Sequence, residues 1–124
     1  MAVTFDTVRE IAYTLGDVEE GTSYGTPAFR ARGVLFVRLR EDSETLVVRM
    51  DHERRAEMMA ADPETYFITD HYLNYPWILV SLARIKIDAL RDLLAMSWQL
   101  ATAQRARKPS KAKRTTPGRR TRSQ

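Results

Sequence analysis

The residues best equipped for chemistry stand in Asp70-His71-Tyr72-Leu73-Asn74-Tyr75-Pro76-Trp77. A histidine beside a carboxylate and phenolic hydroxyls is the raw material of acid–base catalysis, and Ser23 and Tyr24 could join it in space. The local pattern argues against that use. Adjacent side chains on an extended segment point to opposite sides, and the sequence carries no nucleophile elbow, glycine-rich phosphate loop or HExxH spacing. His71 is expected to donate hydrogen bonds that fix the loop. Tyr24, His71, Tyr72, Tyr75 and Trp77 then form a candidate ligand or partner site without a catalytic role. His52, next to Asp51, reads as a solvated residue at a helix start, and two histidines this far apart make no metal signature. Neither a metal nor a cofactor is expected.

Arginines supply a second kind of chemistry. Residues 28–32, 34–40 and 45–50 read as three consecutive antiparallel strands, joined by a tight turn at Arg32-Gly33 and a four-residue turn at Glu41-Asp42-Ser43-Glu44. With those loop lengths Phe29 pairs with Phe36, Arg30 with Leu35, Arg38 with Val47, and Phe36 with Arg49. Alternation then places Leu35, Val37, Leu39, Leu46, Val48 and Met50 on one face, which is the predicted core. Phe29, Val34, Phe36, Arg38, Arg40, Val47 and Arg49 fall on the other. Such a face is either solvated, with its aromatics covered by another element, or an open binding surface. In the second case Arg38, Arg40 and Arg49 contact phosphates while Phe29 and Phe36 offer stacking platforms for single-stranded nucleic acid. Glu41, Asp42 and Glu44 crowd the adjacent turn and are alternative partners for the arginines. A one-residue slip in either hairpin would exchange the faces.

The third feature is electrostatic. The net charge of +4 divides unevenly, since residues 105–124 hold nine of the 20 basic residues and no acid. They include Lys108, Lys111, Lys113, Arg114, Arg119, Arg120 and Arg122, accompanied by Pro109, Ser110, Pro117 and Gly118. Residues 1–104 carry the other eleven basic residues and all 16 acidic ones. The body is thus acidic, and residues 106–124 are expected to be a disordered basic tail. If about six of its charges displace condensed counterions, log K for DNA or RNA falls with log salt at a slope near −5.

The elements that must position these groups follow from caps and periodicity. Thr4 is a candidate N-cap for a helix over 4–15, in which Val8, Ile11, Ala12 and Leu15 recur at helical spacing before Gly16 stops it. A strand over 18–22 precedes the turn-rich stretch at Ser23, Gly25 and Pro27. Asp51 caps a helix over 52–61 that Asp62-Pro63 ends, strands follow at 66–69 and 77–84, and a helix capped by Asp88 runs to about residue 105. The order α-β-β-β-β-α-β-β-α predicts one α+β domain over 1–105, an antiparallel sheet with helices packed on one face. There is no cysteine, which excludes disulfides and thiolate chemistry. The opening MAVTFDTVREI lacks the apolar run of a secretory signal, and 77–82 is too short to span a bilayer. A cytoplasmic monomer without a membrane partner is expected.

Three segments together carry a family resemblance: Glu19 through Phe29 with its GTPAF core, Ala60-Ala61-Asp62-Pro63-Glu64-Thr65-Tyr66-Phe67, and the HYxxYPW pattern from His71 to Trp77. In this order and spacing they resemble the MmcQ/YjbR family over residues 4–105. The resemblance implies a compact α+β domain of the double-wing or CyaY-like kind and a DNA-binding role. The expected function is accordingly a non-enzymatic DNA-binding protein whose basic tail adds nonspecific affinity. The alternative is a protein-interaction or small-ligand domain that uses the open sheet face or the 70–76 loop, with the tail incidental.

Overall fold

The computed structural model describes residues 3–107, so the basic residues from Lys108 to Arg122 lie outside the described residues. Six strands form one antiparallel sheet in the order β1-β2-β3-β4-β6-β5. They are β1 (Val18–Ser23), β2 (Thr26–Ala31), β3 (Val34–Leu39), β4 (Thr45–Arg49), β5 (Tyr66–Phe67) and β6 (Trp77–Ser81). The helices are α1 (Phe5–Tyr13), α2 (His52–Ala61) and α3 (Ile87–Arg107), with a single 3-10 turn at Asp70–Tyr72 in the loop before β6. The predicted element order and the one-sided helix packing are both present.

Local signals set the ends of most elements. Thr4 caps α1, and its N–H donates to Thr7 Oγ1 at 3.3 Å. Asp51 caps α2 by accepting from Arg54 N at 2.7 Å. Asp88 is not the cap of α3: the helix begins at Ile87, which puts Asp88 in the first turn, where its charge still favours the helix dipole. The two strands after α2 are shorter than their apolar runs, because the chain turns after Phe67 into the 3-10 segment and after Ser81, where Ile85 N donates back to Ser81 O at 3.1 Å.

Both tight hairpins use two residues at positive φ. Arg32 (52°) and Gly33 (84°) join β2 to β3 as expected, and Tyr24 (56°) and Gly25 (80°) join β1 to β2. Two consecutive residues in this region define the loop whose twist matches that of the strands, and glycine enters it without a Cβ penalty.

Between these turns the register departs from simple alternation. Ala31 pairs with Val34 and Arg30 with Leu35, but Phe29 pairs with Val37 and Ala28 with Arg38. Phe36 is the extra residue, a β-bulge in β3 opposite the Phe29–Arg30 step. The expected Phe29–Phe36 pair therefore does not form, and the sorting of faces changes with it. Phe29, Val34 and Phe36 turn inward with Val37, Leu46, Val48 and Met50, while Leu35 leaves the core face. Phe29 and Phe36 are both 0% exposed, which removes them as stacking platforms. The bulge is bound from a distance: buried Ser97 of α3 donates its Oγ to Phe36 O at 2.8 Å.

On the inward face α1 contributes Val8, Ile11 and Ala12, and α3 contributes Leu90, Leu93, Leu94 and Ala101. Met58 and Met59 of α2 pack at its margin. Trp98 Nε1 donates to Gly16 O at 2.8 Å and ties α3 to the corner after α1. The opposite face carries one cross-strand row, Ala28–Arg38–Val47–Leu79–Phe67, in which Ala28, Val47 and Leu79 are buried but stand apart from the helix-covered core.

A loop covers part of that second face, and α2 holds the loop. Arg55 is 6% exposed, and its guanidinium donates to Tyr72 O (3.0 Å), Leu73 O (2.9 Å), Tyr75 O (2.8 Å) and Trp77 O (3.0 Å). Met50 N closes the loop on the sheet by donating to Pro76 O at 2.9 Å.

Two stability predictions follow from these buried groups. Phe36→Ala costs about 3–5 kcal/mol in urea unfolding, and Ser97→Ala, which removes a buried hydrogen bond, about 0.5–1.5 kcal/mol. If Phe36→Ala unfolds like the wild type, the bulge does not face the core. Arg55→Met accelerates amide exchange in residues 72–77 before it affects β3 and β4, because it removes the guanidinium on which four loop carbonyls converge, and Arg55→Lys restores part of the protection. Wild-type exchange at 72–77 in Arg55→Met would remove Arg55 from this role.

Candidate functional site

The helix-free face holds a cleft of about 530 Å³ lined by Tyr24, Leu35, Arg38, Glu41, Val47, His71, Tyr72, Tyr75 and Trp77. Three sources build it. The β1–β2 hairpin tip supplies Tyr24, the central strands supply a floor of Leu35 and Val47 with Arg38, and the loop anchored by Arg55 supplies the aromatic wall.

Arg38 is 6% exposed, next to Val47 in the cross-strand row. Its Nη1 donates to Thr26 Oγ1 at 3.2 Å and to Leu39 O at 3.3 Å, and its Nη2 donates to the Tyr72 hydroxyl at 3.4 Å. The guanidinium carbon lies 5.1 Å from the centre of the Tyr24 ring, within cation–π range. Glu41 Oε2 approaches Nη1 at 3.8 Å from a side chain that is 65% exposed. Tyr24 is itself 83% exposed, a large aromatic held at a hairpin tip with the arginine beneath it.

Arg49 and Trp77 are a cross-strand pair at the edge of the cleft, and the Arg49 guanidinium lies 4.5 Å over the indole. Its Nε donates to Leu35 O at 2.8 Å, and burial lowers its pKa from the ordinary value. Arg40 takes a different place. It stands at the end of β3, where its N–H donates to Thr45 O at 2.8 Å, and its charge acts on Asp42. Burial alone would raise the Asp42 carboxyl, but hydrogen bonds from Glu44 N, Thr45 Oγ1 and Thr45 N, together with the Arg40 charge, hold it below the usual value. The three arginines thus do not form one phosphate-gripping row. Only Arg38 lines the cleft, with Arg49 beside it.

The histidines differ from expectation. The His71 ring packs edge-on against Tyr72 at 4.8 Å between centres and tilted against Tyr75 at 6.3 Å, and the loop is fixed by hydrogen bonds from Arg55 and Met50 N. His52, exposed as predicted, nevertheless brings Nε2 to 3.1 Å from Tyr75 O. Among the described residues, no group of three or more His, Cys, Asp or Glu side chains could hold a metal ion. No described helix is long and apolar enough to cross a membrane.

Sequence reasoning singled out Tyr24, Arg38, His71, Tyr72, Tyr75 and Trp77, and the fold brings all six to the cleft. It missed Leu35, whose orientation depends on the bulge, and it named Glu41 as an arginine partner without separating it from Asp42 and Glu44. It also missed Arg55. The available signal there was position, since Arg55 shares the stripe of α2 that continues into Met58 and Met59 and so cannot face solvent.

Comparison with known proteins agrees with this architecture. A crystal structure of the Deinococcus radiodurans protein DR2400, a DUF419 domain, superposes with a TM-score of 0.69 at 24% identity, covering 90% of this chain and 85% of that one. At the sequence level, the uncharacterized proteins Rv2570 of Mycobacterium tuberculosis and Mb2600 of Mycobacterium bovis are each 39% identical over 41 residues. That match takes in 33% of this chain and 32% of either relative. The YjbR family model matches residues 13–100, a span that includes the β1–β2 hairpin, the bulge, Arg55 and the aromatic loop, and the chain belongs to the YjbR family.

Proposed function

We propose that this YjbR domain is a non-enzymatic nucleic-acid-binding module whose site is the aromatic cleft, with residues 106–124 adding nonspecific affinity. The observation that carries the reading is the meeting of four large aromatic side chains with a buried arginine on one open sheet face. An unstacked base has a π-face that Tyr24, Tyr75 or Trp77 can cover, and its phosphate needs a cation such as Arg38. A duplex offers neither a splayed base nor a shape that enters such a cleft, so single strands are the preferred ligand. The acidic body supplies no long-range attraction, and the basic segment supplies it instead. The packing of His71 against two tyrosine rings favours a binding role for it over acid–base catalysis.

A second reading draws on exposed Leu73 and Tyr75, at 55% and 56%, beside the cleft: an apolar peptide or small ligand could dock there. The two readings separate in one titration of labelled single-stranded and duplex DNA over a salt series. The first predicts that a Tyr24→Ala/Tyr75→Ala double variant loses about ten-fold or more in single-strand affinity with its salt slope unchanged, at roughly 1–3 kcal/mol per stacked base. Removal of residues 106–124 flattens the slope for both DNA forms. If the double variant binds single strands like the wild type and all retention follows the tail, the nucleic-acid role of the cleft fails and the peptide or small-ligand reading replaces it.

A further inference from the structure

The described part of the chain buries two arginines to the same 6% exposure, and they are satisfied very differently. Arg55 has four carbonyl partners at 2.8–3.0 Å, near the optimum for N–H···O bonds, and is a finished structural joint. Arg38 has bonds of 3.2, 3.3 and 3.4 Å, all at or past the long end of that range, and a carboxylate at 3.8 Å that is beyond hydrogen-bond reach. A desolvated cation is costly unless it is well paired, so Arg38 retains unused capacity for an anion. It also lines an open cleft, which Arg55 does not.

The groups now on Arg38 have the chemistry of a nucleotide divided between two side chains. An aromatic ring covers the guanidinium face, supplied by Tyr24, and an oxyanion approaches its edge, supplied by Glu41. We propose that Glu41 is a resident counter-ion of Arg38 which the ligand's phosphate displaces, so that Glu41 sets the affinity and anion selectivity of the cleft. This inference rests on the nucleic-acid reading and adds the regulation of its site. The displacement has little cost on the protein side, because Glu41 hangs from an exposed turn and swings into water when it is replaced.

Removing the counter-ion therefore strengthens binding, and it does so by more than the loss of one negative charge explains. The test uses the full chain with a fluorescein-labelled oligothymidylate at low salt. Glu41→Gln is expected to bind roughly five-fold more tightly than wild type, the size of a weak exposed ion pair. Glu44→Gln removes the same charge from the same exposed turn, outside the cleft, and changes affinity by less than about two-fold through screened long-range repulsion. Arg38→Gln loses the Glu41 effect, so that Arg38→Gln and its double variant with Glu41→Gln bind alike. The two turn variants do not disturb the core, and their comparison stands even if Arg38→Gln fails to fold. Equal affinities for Glu41→Gln and Glu44→Gln, or weaker binding by Glu41→Gln, overturn the counter-ion role while leaving the nucleic-acid reading intact if Tyr24→Ala/Tyr75→Ala still weakens single-strand binding. Absence of binding by the wild-type chain overturns both.

Discussion

The site depends on one irregularity, the extra residue at Phe36 in β3. A strand without it would carry Phe29 and Phe36 outward together and leave Leu35 in the core. With it, two phenylalanines enter the helix-covered core and Leu35 becomes floor for the cleft. Bulges accentuate twist and re-aim side chains, and this one changes the composition of both sheet faces at once. Its backbone is secured by Ser97, 61 residues further along the chain, so the packing of α3 and the identity of the cleft floor are coupled.

Burial on both sides of the sheet has different physical content. The helix side is an aliphatic and aromatic core continuous from α1 through the sheet to α3. The open side buries Ala28, Val47 and Leu79 as well, but interrupts them with Arg38 and partly covers them with a loop of tyrosines. That loop has little regular structure to hold it. Its carbonyls converge on Arg55, which allows a polar segment to lie on the sheet without unpaired acceptors. One buried guanidinium anchors the cleft wall, and another within the cleft makes only long hydrogen bonds.

The hairpin that presents Tyr24 shows a related division of labour. Gly25 takes the positive φ easily, whereas Tyr24 holds a conformation that few large side chains adopt and leaves its ring in solvent above Arg38. Local conformational cost and an exposed aromatic coincide at the point where the cleft meets the β1–β2 turn. Such coincidences are where functional demands are expected to override local preference.

Local chemistry made most of the fold legible in the sequence. Thr4 and Asp51 announce their helices, the Arg32-Gly33 turn fixes the β2–β3 connection, and alternation identifies β4 and β6, because caps, positive φ and period-two patterning act over a few residues. The aromatic loop was legible as a site because Tyr72, Tyr75 and Trp77 cluster in sequence as they do in space. What only the tertiary structure decided were the orientation of Leu35, the inward turn of Phe29 and Phe36, the role of Arg55, and the isolation of Arg38 from Arg40. Each depends on a partner brought from another element: the α3 serine on the bulge, the loop carbonyls on a helix arginine, the hairpin tyrosine over a strand cation. Period-two alternation contains no information about an inserted residue, and the charge of an arginine does not state whether it meets carbonyls, a carboxylate or an open cleft.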